Sequence, residues 1–229
     1  MTPDRIALVT GANRGIGLET ARQLRDHGLT VLVGSRDPAK GRAAADDIGE
    51  GAHALTIDVA DDASVAAAFE AIERDHGRLD VLVCNAGIDY DTDQRAAAVD
   101  LDRARRIMGT NLFGAWACAV QAVPLLRRGT SPRIVNLSSG AGALGYMPHS
   151  PPGYGVSKAA LNALTIKLAA ELQGDGILVN AVDPGVVATD MGKRGRPIPE
   201  GARGVVWAAT LPDDGPTGGF FHDGERIAW

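Results

Sequence analysis

The sequence predicts an α/β fold: a doubly wound parallel sheet with helices on both faces, in three α/β/α layers. Short aliphatic runs alternate with alanine-rich helical stretches along the chain. The runs are apolar on both faces, which is typical of parallel strands that helices cover on each side. Helical crossovers between such strands are right-handed. The length of 229 residues suits one domain, residues 1–229, and no repeat or low-complexity linker divides it.

Six runs are predicted as strands, and the stretches between them as helices. The strands are 6–10, 30–34, 53–58, 81–85, 133–138 and 178–182. The first helix runs to His27, and the last covers 200–210. The least regular stretches, 88–97, 140–152 and 191–199, lie at or near strand ends. Open α/β sheets bind ligands at the carboxyl ends of their strands, so these stretches are candidate site loops.

Composition excludes several classes of function. A net charge of −5 and a pI near 5.5 argue against nonspecific nucleic-acid binding, which needs a basic face. Cys84 and Cys118 lie in apolar runs, which indicates buried reduced thiols, and the five histidines show no ligand-like spacing, so no metal is predicted. No apolar run approaches the roughly 20 residues of a membrane span, and the start leaves no room for a signal peptide. We expect a cytoplasmic protein with neither a nucleic-acid nor a membrane partner.

A glycine-rich turn with the spacing G-x-x-x-G-x-G follows the first strand and opens a helix. Glycines let the backbone approach a pyrophosphate, and a helix N-terminus offers free N–H donors and a partial positive charge. The turn is predicted to bind a dinucleotide; a tight turn that uses its glycines only for packing is the alternative. The residues of this predicted site are Gly11, Asn13, Arg14, Gly15, Ile16 and Gly17.

The end of the second strand indicates which cofactor is preferred. An NAD-binding domain usually places an acidic residue there for the ribose 2′-hydroxyl, whereas this chain has Ser35 and then Arg36. A guanidinium can hold a 2′-phosphate, and Arg14 could approach the same group. NADP(H) is therefore the predicted cofactor. Two solvated arginines without a ligand are the alternative, and Asp37 makes the local charge less positive.

Two further strand ends are predicted to contact the cofactor. Asp58, followed by Val59, closes the third strand, where its carboxylate could accept from the adenine amino group or could cap the next turn. The fourth strand ends in Asn85, Ala86 and Gly87, a small-residue stretch that suits a cofactor lying against the backbone or a simple turn.

Tyr154 and Lys158 are four residues apart and so share one face of a helix. A free tyrosine has a pKa of about 10, and a neighbouring cation favours the phenolate. The pair is therefore predicted to form a general acid, with Lys158 lowering the pKa of Tyr154. An incidental surface pair is the alternative.

Taken in order, these motifs resemble those of the classical short-chain dehydrogenase/reductase family, over nearly the whole chain. The motifs are 10–17, Asn85-Ala86-Gly87, Asn111, Ser138-Ser139, Tyr154-x-x-x-Lys158 and Pro184-Gly185. The resemblance implies a single Rossmann-type domain and an oxidoreductase that uses a nicotinamide cofactor.

The resemblance also implies the catalytic roles. Tyr154 would donate a proton to a carbonyl oxygen as hydride arrives, or accept it in oxidation. Ser139 would hydrogen-bond the same oxygen, with Ser138 its structural neighbour. Lys158 would also bind the nicotinamide ribose, and Asn111 would interrupt a helix and hold a water of the proton relay.

Two other features carry over from the family. The turn at Pro184 and Gly185 would face the nicotinamide, with Val187 among the cofactor contacts, and Thr189 would contact the carboxamide. The chain's ending, 211–221, resembles the NADPH-dependent carbonyl reductases. Candidate substrate contacts form an apolar set: Ile88, Tyr90, Leu144, Tyr146, Met147, Val187 and Met191.

Three departures from the family pattern affect the site. Cys84 stands where an asparagine is common, which removes one hydrogen bond at a strand end. Ser139 and Tyr154 are 15 positions apart, more than is usual, and three prolines lie between them. The segment between Thr189 and the last helix is short, which predicts an open pocket.

The leading hypothesis is an NADPH-dependent reductase of aldehydes or ketones. The alternatives are an NAD(P)-dependent alcohol, polyol or steroid dehydrogenase working toward oxidation, and a non-catalytic NADP-binding sensor. Members of the family are often dimers or tetramers built on the helices around Asn111 and Tyr154, whereas carbonyl reductases can be monomers, so both states remain open.

Overall fold

In the computed structural model, which describes residues 5–192 and 194–229, eight strands form one sheet. The strands are β1 (Ile6–Val9), β2 (Thr30–Ser35), β3 (Ala52–Thr56), β4 (Val81–Cys84), β5 (Arg133–Leu137), β6 (Leu178–Asp183), β7 (Phe220–His222) and β8 (Glu225–Ile227). Their order is β3-β2-β1-β4-β5-β6-β7-β8, and every neighbouring pair is parallel except β7 and β8. Because the winding runs outward in both directions from β1 and β4, the predicted doubly wound fold is confirmed.

Helices cover both faces of the sheet. They are α1 (Gly15–Asp26), α2 (Pro38–Ile48), α3 (Asp62–His76), α4 (Leu101–Met108), α5 (Ala115–Leu126), α6 (Pro152–Leu172) and α7 (Ile198–Ala209). One core packs α1, α2 and α7 against the sheet, and a second core packs α3, α5 and α6 against the other face. Along β1, Leu8 enters one core while Ala7 and Val9 enter the other. Strand β1 is therefore apolar at every position.

The six predicted strands are all present, with ends that differ by one or two residues. Strands β7 and β8 were not predicted, because each has only three residues. They form a hairpin whose turn residues, Asp223 and Gly224, both have positive φ, which suits a two-residue turn. Helix α7 begins two residues before the predicted start, at Ile198. Lys193, within the third predicted site loop, and residues 1–4 lie outside the described residues.

Candidate functional site

The glycine turn between β1 and α1 needs its glycines for physical reasons. Gly11 and Gly15 have φ of +64° and +59°, a region that side-chain-bearing residues rarely adopt. A Cβ at Gly17 would collide with the side-chain amide of Asn85 and lie 2.7 Å from the Gly11 carbonyl oxygen. That amide donates to the carbonyl oxygens of Thr10, at 2.7 Å, and Gly11, at 3.2 Å. Asn85 therefore fixes the shape of the turn from the neighbouring strand.

The start of α1 fits a pyrophosphate. Its first turn carries no acidic side chain, and Arg14, the residue before it, makes no side-chain hydrogen bond to the helix. No side chain of the first turn therefore opposes the positive dipole end of the helix or its free N–H groups. Ile16 packs against the core and steadies this end of the helix, and Asn13 beside it is half-buried.

The end of β2 leaves one cation unpaired. Ser35 is buried, and its hydroxyl donates to the Asp37 carbonyl oxygen at 2.9 Å. The Asp37 carboxylate caps α2 by accepting from the backbone N–H groups of Ala39 and Lys40, which lowers its pKa. Among the described residues, Arg36 is exposed and has no ion pair. The negative charge of Asp37 is thus turned toward the helix, and the Arg36 guanidinium stays free for an anion.

Arg14, the second predicted phosphate ligand, differs from Arg36 because it has an ion pair. Its guanidinium pairs with the Asp190 carboxylate at 2.8 Å, and both side chains are largely exposed. Thr189 is close by, because a Cβ at Gly15 would lie 3.7 Å from its methyl group. The loop after β6 therefore meets the glycine turn across the sheet edge.

Asp58 and Asn85, which follow β3 and β4, also take part in hydrogen bonds within the fold. One Asp58 oxygen accepts from the Ala60 N–H at 3.0 Å, so the turn-capping alternative applies to that oxygen. The N–H groups of Asn85 and Ala86 both donate to the Thr10 hydroxyl, at 3.0 and 3.1 Å. Val59 is buried, and its carbonyl oxygen would lie 2.7 Å from a Cβ at Gly114.

Asn111 interrupts a helix, as the family resemblance implies. The segment Gly109–Gly114 between α4 and α5 is a π-helical turn. The Asn111 side chain bonds both backbone groups of Ile88, at 2.8 and 3.2 Å, and donates to the Ser157 hydroxyl at 3.1 Å. A Cβ at Gly87 would lie 3.5 Å from the Asn111 oxygen and 3.7 Å from the Lys158 ammonium. Gly87 therefore keeps the space between these two side chains clear.

The structure brings Tyr154, Lys158 and Ser139 together at the carboxyl ends of β4 and β5. The Lys158 ammonium donates to the Leu137 carbonyl oxygen at 2.6 Å and lies 5.5 Å from the centroid of the Tyr154 ring. Ser139 is a side-chain neighbour of Tyr154 that acts to lower the pKa of its phenol. The neighbouring Ser138 hydroxyl instead donates to the Asn162 side chain at 2.6 Å, away from Tyr154. This geometry agrees with the assignment of Ser139, rather than Ser138, to the reacting oxygen.

Burial controls the protonation of this pair. Burial raises the pKa of the Tyr154 phenol above its ordinary value, and the neighbouring Ser139 only partly opposes this rise. Burial also lowers the pKa of the Lys158 ammonium, to about 8. The expectation that Lys158 lowers the Tyr154 pKa is therefore wrong for the protein by itself, since desolvation of the phenolate is the larger effect.

The turn after β6 lies beside the same edge. Gly185 has a φ of +70°, and its N–H donates to the Asp183 carboxylate at 3.0 Å, while Pro184 is buried. The Val187 side chain is buried against Gly201 of α7. The expected substrate contact by Val187 therefore stays a prediction, with its side chain packed against α7.

The other expected substrate contacts border an open region. Four of their side chains are exposed: Tyr90, Leu144, Tyr146 and Met191. Ile88 and Met147 are half-buried. Val187 and Arg196 form a parallel β-bridge, so the short segment before α7 folds back on itself. The open pocket stays a prediction.

Asp91 is a site residue that the sequence analysis did not identify. Its buried carboxylate accepts from the backbone N–H groups of Gly153, at 2.9 Å, and Tyr154, at 3.0 Å. Helix α6 starts at Pro152 after Pro151, so no local side chain caps it. That proline pair is the sequence signal for a remote cap, although it does not name the residue.

Two features are absent from the part of the chain that the structure describes. It contains no helix long and apolar enough to cross a membrane. It also contains no group of three or more histidine, cysteine, aspartate or glutamate side chains arranged to hold a metal ion.

Comparison with known proteins identifies relatives of this chain. The family model for short chain dehydrogenases matches residues 5–198. A short-chain dehydrogenase of Penicillium roqueforti is 35% identical over 224 residues, covering 90% of this chain and 88% of the relative. A 3-oxoacyl-(acyl-carrier-protein) reductase of Staphylococcus aureus is 39% identical over 198 residues, covering 83% and 78%.

Solved structures agree with the sequence relatives. Salutaridine reductase from Papaver somniferum superposes with a TM-score of 0.86 at 29% identity, covering 96% of this chain and 99% of that one. The 3-ketoacyl-(acyl-carrier-protein) reductase from Brucella melitensis, complexed with NADH, superposes with a TM-score of 0.88 at 28% identity, covering 97% and 98%. The matched family model, the shared fold and the grouping of Tyr154, Lys158, Ser139 and Asn111 lead to one conclusion: the chain belongs to the short-chain dehydrogenase family of oxidoreductases.

Proposed function

We propose that this chain reduces the carbonyl group of an aldehyde or ketone to an alcohol, with NADPH as the hydride donor. The observation that carries the proposal is the Tyr154 phenol, buried beside Ser139 with its pKa raised. At neutral pH this phenol holds its proton, which is the form that a general acid needs to protonate a carbonyl oxygen. The oxidation of an alcohol would instead need the phenolate.

The residues around Tyr154 have complementary roles in this proposal. Ser139 donates a hydrogen bond to the carbonyl oxygen as it gains negative charge, a contribution that is worth roughly 3 kcal/mol for a single donor elsewhere. With its pKa of about 8, Lys158 is largely cationic at neutral pH and binds the nicotinamide ribose. Asn111, held between Ile88 and Ser157, orders the path along which Tyr154 regains its proton.

The function is tested by Tyr154→Phe, which keeps the ring and removes the proton. We expect carbonyl-dependent NADPH oxidation to fall by about 10²- to 10⁴-fold, since that is the usual contribution of a positioned general acid. NADPH binding, followed by its fluorescence, should stay unchanged. A panel of apolar aldehydes and ketones identifies the substrate for this measurement. Full turnover by Tyr154→Phe would remove Tyr154 as the acid.

The choice of NADPH depends on the corner between β2 and α2. Arg36 is exposed and has no ion pair among the described residues, whereas the Asp37 carboxylate is engaged in capping α2. A 2′-phosphate would therefore meet an available guanidinium rather than a free carboxylate. The NADH complex of the Brucella melitensis relative favours the second candidate, an NAD-dependent dehydrogenase.

The two cofactors are distinguished by kcat/KM for NADPH and NADH with one substrate. We expect wild type to prefer NADPH, and Arg36→Ala to lower its NADPH value by roughly 10-fold or more, because a charge-assisted hydrogen bond is worth about 1.5–3 kcal/mol. The NADH value should not change. Arg74→Ala, at the far end of α3 and paired with Asp75, is the control. An equal or higher value for NADH in wild type would exclude the NADPH assignment.

A further inference from the structure

The loop that follows β4 caps the start of α6, the helix that carries Tyr154. Asp91 has no exposed surface, and each of its carboxylate oxygens accepts one N–H, from Gly153 at 2.9 Å and from Tyr154 at 3.0 Å. A carboxylate at a helix N-terminus accepts from free N–H groups and interacts favourably with the positive end of the helix dipole. Here the cap is applied at the proposed general acid itself.

The fit between the loop and the helix is close. A Cβ at Gly153 would lie 2.8 Å from an Asp91 carboxylate oxygen, so a glycine is needed where the carboxylate meets the helix. A carboxylate buried without these donors would be costly, so the interaction holds both partners in one arrangement. The position of the Tyr154 backbone is therefore set by Asp91.

The residue before Asp91 contacts the Tyr154 ring. Tyr90 packs edge-on against it, with the ring centroids 5.0 Å apart and an interplanar angle of 71°. This geometry is one that aromatic pairs prefer. Backbone and ring of Tyr154 are thus both held by two consecutive residues of one loop.

The loop is itself anchored on either side of these two residues. Asp89 forms two hydrogen bonds with the Arg103 guanidinium of α4, at 2.6 and 2.7 Å, and Asp93 pairs with the same guanidinium at 2.8 Å. Ile88 is bonded through both backbone groups to Asn111. These contacts hold the loop in place independently of the helix that it caps.

We propose that Asp91 is a positioning residue, which fixes the first turn of α6 so that the Tyr154 phenol meets the substrate oxygen beside Ser139. This inference rests on the proposed function, because it assigns Asp91 to the delivery of that proton. Asp91 does not itself touch the substrate; it acts through Tyr154.

The test is Asp91→Asn, which keeps the shape but replaces one acceptor oxygen with a donor NH₂ that opposes a backbone N–H. We expect kcat to fall about 10-fold or more, while KM and the Kd for NADPH stay within about twofold, since the glycine turn and Arg36 of the proposed cofactor site lie on other elements and Lys158 lies a full turn beyond the capped N–H groups. Hydrogen exchange of the Gly153 and Tyr154 amides should become at least 10-fold faster, because their acceptor is lost.

The matched control is Asp61→Asn, which alters a cap on α3, where Asp61 accepts from the Ala63 N–H at 3.0 Å. A merely structural role predicts that both variants lose thermal stability and neither loses kcat selectively. Unchanged kcat in Asp91→Asn, or a loss no larger than in Asp61→Asn, would overturn the proposal. Unchanged exchange at the two amides would also overturn it.

A second variant covers the case in which Asp91→Asn does not fold. Gly153→Ala keeps Asp91 and Tyr154 but pushes the carboxylate away from the helix, and it should lower kcat with NADPH binding retained. Full kcat in Gly153→Ala would contradict the proposal. A wild-type chain that reduces none of the carbonyl compounds would contradict the proposed function instead, and the exchange rates of the two amides would still decide whether Asp91 holds the helix.

Discussion

At the scale of single residues, burial sets the protonation states in the candidate site. The sequence places a phenol and an ammonium on one helix face, from which Lys158 is expected to favour the Tyr154 phenolate. In the folded chain both groups are buried, and burial opposes charge on each: it raises the pKa of Tyr154 and lowers that of Lys158. Spacing along a helix reveals which groups are neighbours, but desolvation depends on the whole fold.

The lowered pKa of Lys158 predicts a pH dependence of stability. The pKa falls from its ordinary 10.5 to about 8. Between these two values the unfolded chain binds more protons than the folded one, so this group makes the free energy of unfolding rise with pH. Its stabilising contribution is complete above pH 10.5 and is lost as pH falls through about 8.

The measurement is urea unfolding of wild type and Lys158→Met at several pH values in that window. We expect wild type to gain stability relative to Lys158→Met as pH rises, because the methionine has no proton to lose. Lys167→Met, an exposed position of the same helix, should follow wild type. Parallel curves for wild type and Lys158→Met would show that burial does not lower the Lys158 pKa. The series stops near pH 10, where Tyr154 of the unfolded chain is already about half ionised.

At the scale of secondary-structure elements, the sequence predicts what local patterns encode. Strands β1 to β6 and the glycine turn could be identified because continuous apolar runs and glycine spacing are local signals. Strands β7 and β8 are too short to show a pattern. Their pairing depends on the Asp223-Gly224 turn and on the edge of β6.

The contacts that orient the site were harder to predict, because their partners are distant in sequence. Asp91 and Gly153 are 62 positions apart, and Asn111 and Ile88 are 23 apart. The packing of the Val187 side chain was hard to predict for a similar reason, since its partner Gly201 lies on the next helix. The candidate catalytic residues could be named from the family motifs, whereas the loop that holds them became visible only in the fold.

At the scale of the whole molecule, the doubly wound sheet explains why residues far apart in sequence meet. Parallel strands place their carboxyl ends at one edge, and the ends of β1 to β6 supply the cofactor and catalytic candidates there. Helices α4 and α6 contribute the rest through the π-helical turn and the capped start of α6.

The helices on one face of the sheet, α5 and α6, carry exposed apolar side chains. Phe113, Trp116 and Val120 follow a helical spacing along the π-helical turn and α5, and Val156 lies on α6. Trp116 is 43% exposed and Phe113 is 57% exposed. Contiguous apolar patches on a surface often mark association sites. Together with the resemblance to a family of frequent dimers and tetramers, this favours a homo-oligomer over a monomer.

Sedimentation of wild type and Trp116→Glu tests this association. We expect wild type to be at least a dimer and Trp116→Glu to be a monomer, because an interface would bury the new carboxylate without a partner. Phe113 lies in the same π-helical turn as Asn111, and Val156 lies two residues from Tyr154. Loss of the interface would remove packing from this part of the fold, so the monomeric variant should also unfold at a lower temperature. Ala43→Glu, an exposed position of α2 on the opposite face of the sheet, introduces the same charge and should remain associated. A wild-type chain that stays monomeric from about 1 to 100 μM would contradict the prediction, since mass action favours any dimer as concentration rises.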